Sequence, residues 1–176
     1  KSLTVSVAWP TWAWTRFPEL RFLFSSFSES LSTEHAVLSR RVIDSDLYQH
    51  DWGSVFQLQT DQNIKTHYEN TRRGYRISTS VGGTTIGRGA DFLVADDANN
   101  LKTIDSEAER ADVIAWYRNV CSQRFNDPKT GCRVTIMQRG HEGDLAGYIL
   151  EREARSIAHL NLPTEYEPTP FVEVRG

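Results

Sequence analysis

The chain has 176 residues, of which 39% are hydrophobic, and a formal net charge of -3 at pH 7. This length allows one domain with a buried core and is too short for two domains of ordinary size. No stretch approaches the ~20 consecutive apolar residues that a membrane helix needs, and the total charge does not indicate a nucleic-acid binder. Cys121 and Cys132 lack the Cys-x-x-Cys spacing, which predicts free thiols in a reducing compartment.

The first half of the chain alternates helical and extended patterns. Residues 1–14 carry apolar residues at helical spacing, and Pro10 predicts a break or kink there. The aromatic run 21–27 predicts a strand, and residues 30–51 predict one helix capped by Ser32 or Thr33. Residues 56–77 predict two or three short strands, with a turn at 71–74 between the last two.

The second half begins with a glycine-rich loop over residues 82–89. An apolar strand at 91–97, an amphipathic helix at 106–124, a turn at 126–131, a buried strand at 132–137 and a helix at 144–153 follow, before a proline-bearing tail. Strands that alternate with helices predict an α/β sheet with right-handed crossovers. In such sheets ligands bind at the carboxyl ends of the strands.

Asp96 and Asp97 directly follow the apolar residues of the predicted strand 91–97. Burying two charges as core is costly, so the pair indicates either the solvated start of a loop or a functional site. The functional interpretation is a Walker B motif, in which Asp96 holds Mg²⁺ through water and Asp97 orients or deprotonates the attacking water.

Two further features have the chemistry of a phosphate site. Lys1 and Ser2 match the last two positions of the P-loop pattern G-x-x-x-x-G-K-[ST], where the ammonium binds phosphates and the hydroxyl binds Mg²⁺. Gln138 and Arg139 follow the predicted strand 132–137. They either sense the γ-phosphate or mark where that strand meets water.

Other sites are disfavoured by their spacing. The five histidines contain no i, i+4 pair, which argues against a zinc site. The glycine loop precedes a strand rather than a helix, which argues against a dinucleotide-binding turn. No G-x-S-x-G elbow occurs. The cluster of Trp9, Trp12 and Trp14 is interpreted as packing surface.

Four segments, in this order and spacing, resemble the large subunit of phage and prophage terminases, the DNA-packaging motors. The segments are SFSESLSTEHAVLSRRVI, DQNIKTHYENTRRGYRISTSVGG, GRGADFLVADDANN and FNDPKTGCRVTIMQRGHEGDLAGYIL. The resemblance runs from residue 1 to about residue 166. It implies a RecA-like P-loop NTPase sheet with flanking helices over residues 1–162, from which the first strand and most of the P-loop are missing. Residues 163–176 are then a linker towards an absent nuclease domain.

The resemblance also implies roles for single residues. Lys1 and Ser2 bind ATP, and Ser2 and Asp96 bind Mg²⁺. Asp97 stands where many members have a catalytic glutamate, so its side chain is shorter than usual. Gln138 is the preferred sensor within a coupling motif at 135–139. The transition-state charge is stabilised by an arginine finger, for which the candidates are Arg88 and Arg139, in cis or from a neighbouring subunit.

The implied function is ATP hydrolysis that drives viral double-stranded DNA into a procapsid. The expected partners are double-stranded DNA, the portal protein, the small terminase subunit and further copies of the chain in a ring. The expected location is the cytoplasm of the infected or lysogenic bacterial host. Two alternatives stay open: a catalytically inactive prophage remnant or fragment with only an interaction role, and a RecA-like helicase domain.

Overall fold

The computed structural model describes residues 1–83, 88–120, 123–161 and 172–175. The strands of its main sheet are β1 Arg21–Ser26, β2 Leu58–Ile64, β3 His67–Asn70, β4 Tyr75–Ser80, β5 Phe92–Asp96 and β6 Cys132–Ile136. They lie in the order β2-β3-β4-β1-β5-β6. Most of the predicted linker, together with Gly87 and Cys121, lies outside the described residues.

The sheet is mixed. β1 pairs in parallel with both β4 and β5, so that Phe22 lies opposite Arg76 on one side and Phe92 on the other. β6 is parallel to β5, whereas β2, β3 and β4 form an antiparallel meander. The prediction of an α/β sheet is therefore confirmed. The parallel part puts the carboxyl ends of β1, β4, β5 and β6 at one edge of the sheet.

Helices cover both faces of this sheet. They are a π-helical segment at Leu3–Ala8, α1 Trp9–Arg16, α2 Glu29–Ile43, α3 Asp46–Trp52, α4 Glu107–Val120 and α5 Leu145–Arg152. Successive residues of β1 point to opposite faces. Phe22 and Phe24 pack with Trp14 beneath the first helices, and Leu23 packs with Trp116 beneath α4. None of the helices in the described ranges is long and apolar enough to cross a membrane.

Of the break or kink predicted at Pro10, the break is wrong, because helical structure continues on both sides of this residue. It occupies the first turn of α1, directly after the π-helical segment. Proline is tolerated there because its missing N–H costs least in a first turn. The amide of Trp9 donates to Thr4, five residues back, so the chain widens into the π form just before the proline.

The helix predicted at 30–51 is two helices. Asp44 ends α2, and Ser45 adopts an extended backbone and caps α3 by accepting a hydrogen bond from the amide of Tyr48. Ser32 is not a cap either, because it is buried inside α2 with its hydroxyl 3.4 Å from the carbonyl of Phe24. The hydrophobic spacing continues across the break, which is why periodicity alone joined the two helices.

Strand β6 is less buried than predicted. Within the described part of the chain it pairs with β5 alone and forms an edge, with Cys132 and Arg133 exposed. The tail holds a hairpin that the sequence did not predict, because β7 Ile157–Leu160 pairs antiparallel with β8 Val172–Arg175. The turn at 71–74 is confirmed, and its Arg73 has a φ of 68°.

Candidate functional site

Asp96 is the last residue of β5 and is only 2% exposed. Each oxygen of its carboxylate accepts a hydrogen bond from a serine hydroxyl. Ser2 Oγ lies 2.9 Å from Oδ1, and Ser6 Oγ lies 2.6 Å from Oδ2. His35 of α2 places Nδ1 3.6 Å from Oδ2. A buried carboxylate is tolerated where donors satisfy its oxygens, and the two serines provide those donors.

Asp97 has a backbone held in an unusual conformation. Its φ of 50° lies in the left-handed region, which costs a residue other than glycine on the order of 1 kcal/mol. Its amide donates to Ile136 O at 2.8 Å and its carbonyl accepts from Phe27 N at 3.0 Å, so the ends of both neighbouring strands hold it. Such conformations occur preferentially at functional sites, and aspartate tolerates this one better than most residues.

The carboxylate of Asp97 is bound from two directions. Its Oδ1 contacts the ammonium of Lys1, and it also accepts the backbone amide of Gln138 at 3.3 Å. Lys1 lies 96 positions from Asp97 in the sequence, and Ser2 lies 94 positions from Asp96. The structure therefore brings four of the predicted site residues together at the carboxyl ends of parallel strands, where α/β sheets bind ligands.

A partly buried histidine and a buried arginine interact electrostatically with the carboxylate of Asp96. Burial lowers the pKa of His35, an effect that the negative charge of Asp96 partly offsets. Arg76 of β4 is 1% exposed, and burial lowers the pKa of its guanidinium to about 10, although Tyr68 and Asp96 act in the opposite direction. Arg76 thus carries a full positive charge at neutral pH.

The combination of an ammonium, a hydroxyl and two carboxylates fits a divalent cation that is bound to phosphate. Among the residues that the structure describes, no three His, Cys, Asp or Glu side chains are grouped closely enough to hold a metal by themselves. Asp96 and Ser2 fit one side of a Mg²⁺ ion, which usually takes only one or two protein ligands and fills its other positions with water and phosphate oxygens.

Gln138 and Arg139 lie in the loop after β6, beside this site. The backbone of Gln138 contacts Asp97, but the guanidinium of Arg139 turns away to the buried carboxylate of Asp144, with Nε 3.0 Å from Oδ1. Arg139 Nη2 also donates to the carbonyls of His141 and Glu142, at 3.3 and 3.2 Å. In this conformation Arg139 holds its own loop and does not face Asp96 or Asp97.

Arg88 lies at the opposite end of the strands. Its Nη1 is 3.1 Å from His67 Nε2 and 3.6 Å from Glu69 Oε2, and its guanidinium lies over the ring of Tyr75. Tyr75 is the first residue of β4 and pairs with Arg21, the first residue of β1. The structure does not bring Arg88 to the aspartates of its own chain, so only its role in trans stays a prediction.

The sequence analysis missed several residues around the site. Ser6 follows Ser2 by four positions on one helix, and this spacing was the available signal. His35 and Arg76 gave no local signal, because they reach Asp96 from other elements. Asp144 could have been found as an N-cap: its side chain accepts the amide of Gly147 at 2.8 Å.

No protein-family model matches the chain, and a search of curated proteins finds no significant match. Any assignment of function therefore depends on the geometry of the site and on the resemblance of the sequence segments.

Proposed function

We propose that this chain is the ATPase domain of a terminase large subunit, a RecA-like P-loop NTPase that hydrolyses ATP to move viral double-stranded DNA into a procapsid. The observation that carries the proposal is the meeting of Lys1 and Ser2 with Asp97 and Asp96. A P-loop end and a Walker B end must be adjacent for one Mg²⁺-nucleotide to contact both. The two contacts lie side by side, between two residues adjacent in sequence on each side, which supports a single site.

The proposed roles follow from the chemistry of each side chain. The ammonium of Lys1 binds the β- and γ-phosphates. To do so, it leaves its contact with Asp97. Ser2 and Asp96 hold Mg²⁺, which supplies charge neutralisation at the phosphates. Released from Lys1, the carboxylate of Asp97 orients the attacking water and accepts its proton.

The sheet supports the RecA-like class. The aspartate-bearing strand β5 lies between two parallel neighbours, β1 and β6, and the loops after all three strands meet at Asp97. We assign to Gln138 the relay of a change at Asp97 into the loop 138–144, a role supported by the hydrogen bond from its backbone amide to that carboxylate. Residues 135–139, which lead from β6 into this loop, are the proposed coupling motif between hydrolysis and movement.

The partners of the proposed motor rest on the resemblance. They are double-stranded DNA, the portal protein, the small terminase subunit and further copies in a ring, within the cytoplasm of the bacterial host. A ring also gives Arg88 a role, since an exposed arginine far from its own site is available to a neighbouring subunit as an arginine finger.

The proposal is tested by phosphate release and Mg²⁺-ATP binding, measured on the full gene product. Asp96→Ala is expected to reduce hydrolysis by about a hundredfold or more, because the metal contributes several kcal/mol of charge stabilisation. Asp112→Ala, at an exposed position of α4, is the matched control and should leave the rate unchanged. The proposal would be contradicted by a wild-type protein that neither binds nor hydrolyses ATP. It would also be contradicted by an Asp96→Ala variant that hydrolyses ATP at the wild-type rate.

A further inference from the structure

Arg76 is a buried cation with few partners. It projects from the middle of the sheet, and its guanidinium lies 3.7 Å above the ring of Phe24. Nη1 donates to the carbonyl of Ser6 at 2.6 Å. Among the described residues, Nε and Nη2 have no hydrogen-bond partner. A charge this poorly satisfied is costly, and an apolar side chain of similar size would pack there without that cost.

Ser6 connects this cation to the candidate site. Pro10, four residues further on, has no N–H to donate to the carbonyl of Ser6, and Arg76 Nη1 donates to that carbonyl instead. The hydroxyl of Ser6 donates to Asp96 Oδ2 at 2.6 Å. One buried residue is therefore bound by Arg76 at its backbone and binds Asp96 through its side chain.

We propose that Arg76 is a positioning residue for Asp96, acting through Ser6, an inference that rests on the proposed function. By holding the Ser6 carbonyl, Arg76 keeps the hydroxyl of Ser6 on Oδ2. Oδ1, which accepts the hydroxyl of Ser2, then stays on the side of the proposed metal. The positive charge of Arg76 also offsets the negative charge of a carboxylate buried at the end of β5.

The consequence is specific to the metal. Loss of the Arg76–Ser6 contact should let the Asp96 carboxylate turn, which weakens binding of Mg²⁺-nucleotide. Nucleotide binding in the absence of Mg²⁺ depends on Lys1 and should not change. A purely structural role for Arg76 would instead lower both affinities together.

The test compares the affinity for a fluorescent ATP analogue with Mg²⁺ and with EDTA, using the full gene product. The variants are Arg76→Met, Arg76→Lys and Ser6→Ala. Arg21→Met is the matched control, because Arg21 also lies over an aromatic ring but pairs at the start of β4, at the end of the strands away from Asp96. Mg²⁺ should raise the nucleotide affinity of the wild type by a certain factor, measured as the ratio of the affinities with Mg²⁺ and with EDTA. In Arg76→Met and in Ser6→Ala this factor should be about tenfold smaller, as is typical for residues that orient a metal ligand. Arg76→Lys, which keeps the charge, should recover part of that factor.

The proposal would be overturned if the variants lost nucleotide affinity equally with Mg²⁺ and with EDTA. It would also be overturned if Mg²⁺ raised the affinity of Ser6→Ala as much as that of the wild type. Ser6→Ala decides the matter even if Arg76→Met does not fold, since it removes one hydroxyl and leaves the carbonyl in place.

A second measurement separates this proposal from the proposed function. In denaturant unfolding, Arg76→Lys should reduce the folding equilibrium constant both in the wild type and in an Asp96→Asn background. If the two groups are coupled, the reduction should be about tenfold smaller in the Asp96→Asn background. Additive effects would reject the coupling. If the wild-type protein binds no Mg²⁺-nucleotide, the proposed function fails, and this unfolding cycle alone decides the role of Arg76.

Discussion

At the scale of single residues, Asp97 combines a strained backbone with a charged side chain at the centre of the site. Its φ of 50° is unfavourable for any residue except glycine, asparagine and aspartate. The hydrogen bonds of its backbone to Ile136 and Phe27 hold it there against that cost. Aspartate tolerates this conformation, and its carboxylate contacts the ammonium of Lys1 and the backbone amide of Gln138.

Asp97→Asn separates the two properties. Asparagine also tolerates the left-handed region, so the free energy of unfolding should change by less than about 1 kcal/mol. ATP hydrolysis should fall about a hundredfold to ten-thousandfold, because the amide cannot accept a proton from water. Denaturant unfolding and phosphate release measure the two effects. A variant that hydrolyses ATP at the wild-type rate would show that Asp97 is not the base.

His67 gives a second prediction at this scale. Burial lowers its pKa, and the charge of Arg88 lowers it further, against a smaller opposite effect of Glu69. A histidine with a depressed pKa stabilises the fold above its unfolded pKa of about 6.5, and this stability is lost as pH falls through the folded pKa.

The free energy of unfolding should therefore decrease from pH 7 towards pH 5 more steeply in the wild type than in His67→Gln. One proton limits the extra slope to about 1.4 kcal/mol per pH unit. Urea unfolding at several pH values measures it, with the exposed His50→Gln as control. Parallel curves for His67→Gln and the wild type would contradict the assignment.

At the scale of elements, the loop 138–144 is organised by the N-cap of α5. Asp144 is fully buried, and its Oδ2 accepts Arg139 Nε and the amides of Gly140 and His141 at 3.1, 3.1 and 3.3 Å. Its Oδ1 accepts the first-turn amide of Gly147. The same loop begins with Gln138 on Asp97, so the cap of α5 and the candidate site form one hydrogen-bonded unit.

Asp144→Ala should cost about 2–4 kcal/mol of unfolding free energy, because it removes a helix cap and several bonds to a charged, buried acceptor. Hydrogen exchange at Gly140 and His141 should become faster. Ser45→Ala is the control: this residue caps α3 with one long bond, to Tyr48 N at 3.4 Å, and should cost about 1 kcal/mol or less. Equal costs for the two variants would show that Asp144 does not organise the loop.

At the scale of the whole molecule, the sheet order decides which side chains can act together. The backbone of Asp97 is hydrogen-bonded to residues at the ends of β1 and β6, and Ser2 and Ser6 from the start of the chain bind Asp96 beside it. The parallel arrangement of the sheet separates Arg88 from the aspartates by the length of the strands, so this arginine can serve the proposed reaction only from a neighbouring copy.

The local elements were predictable to different degrees. β5, α5 and the turn at 71–74 were predicted because apolar runs, helix periodicity and turn residues act within a few positions. The break between α2 and α3 was missed although Asp44-Ser45-Asp46 is a capping signal, since the hydrophobic spacing continued through it. β6 was predicted as buried because its apolar residues resemble those of β5, but burial depends on having neighbours on both sides.

The sequence by itself determined the candidate carboxylates, because two aspartates directly after an apolar strand are costly to bury unless they bind a partner. It also determined the α/β class, through its alternating patterns of strands and helices. Only the tertiary structure decided which residues meet them. Lys1 and Ser2 reach the aspartates, Arg88 does not, and Arg76 and His35 arrive from elements that carry no local signal. The physical reason is that strand order and register result from packing over the whole chain, whereas sequence patterns report interactions between near neighbours.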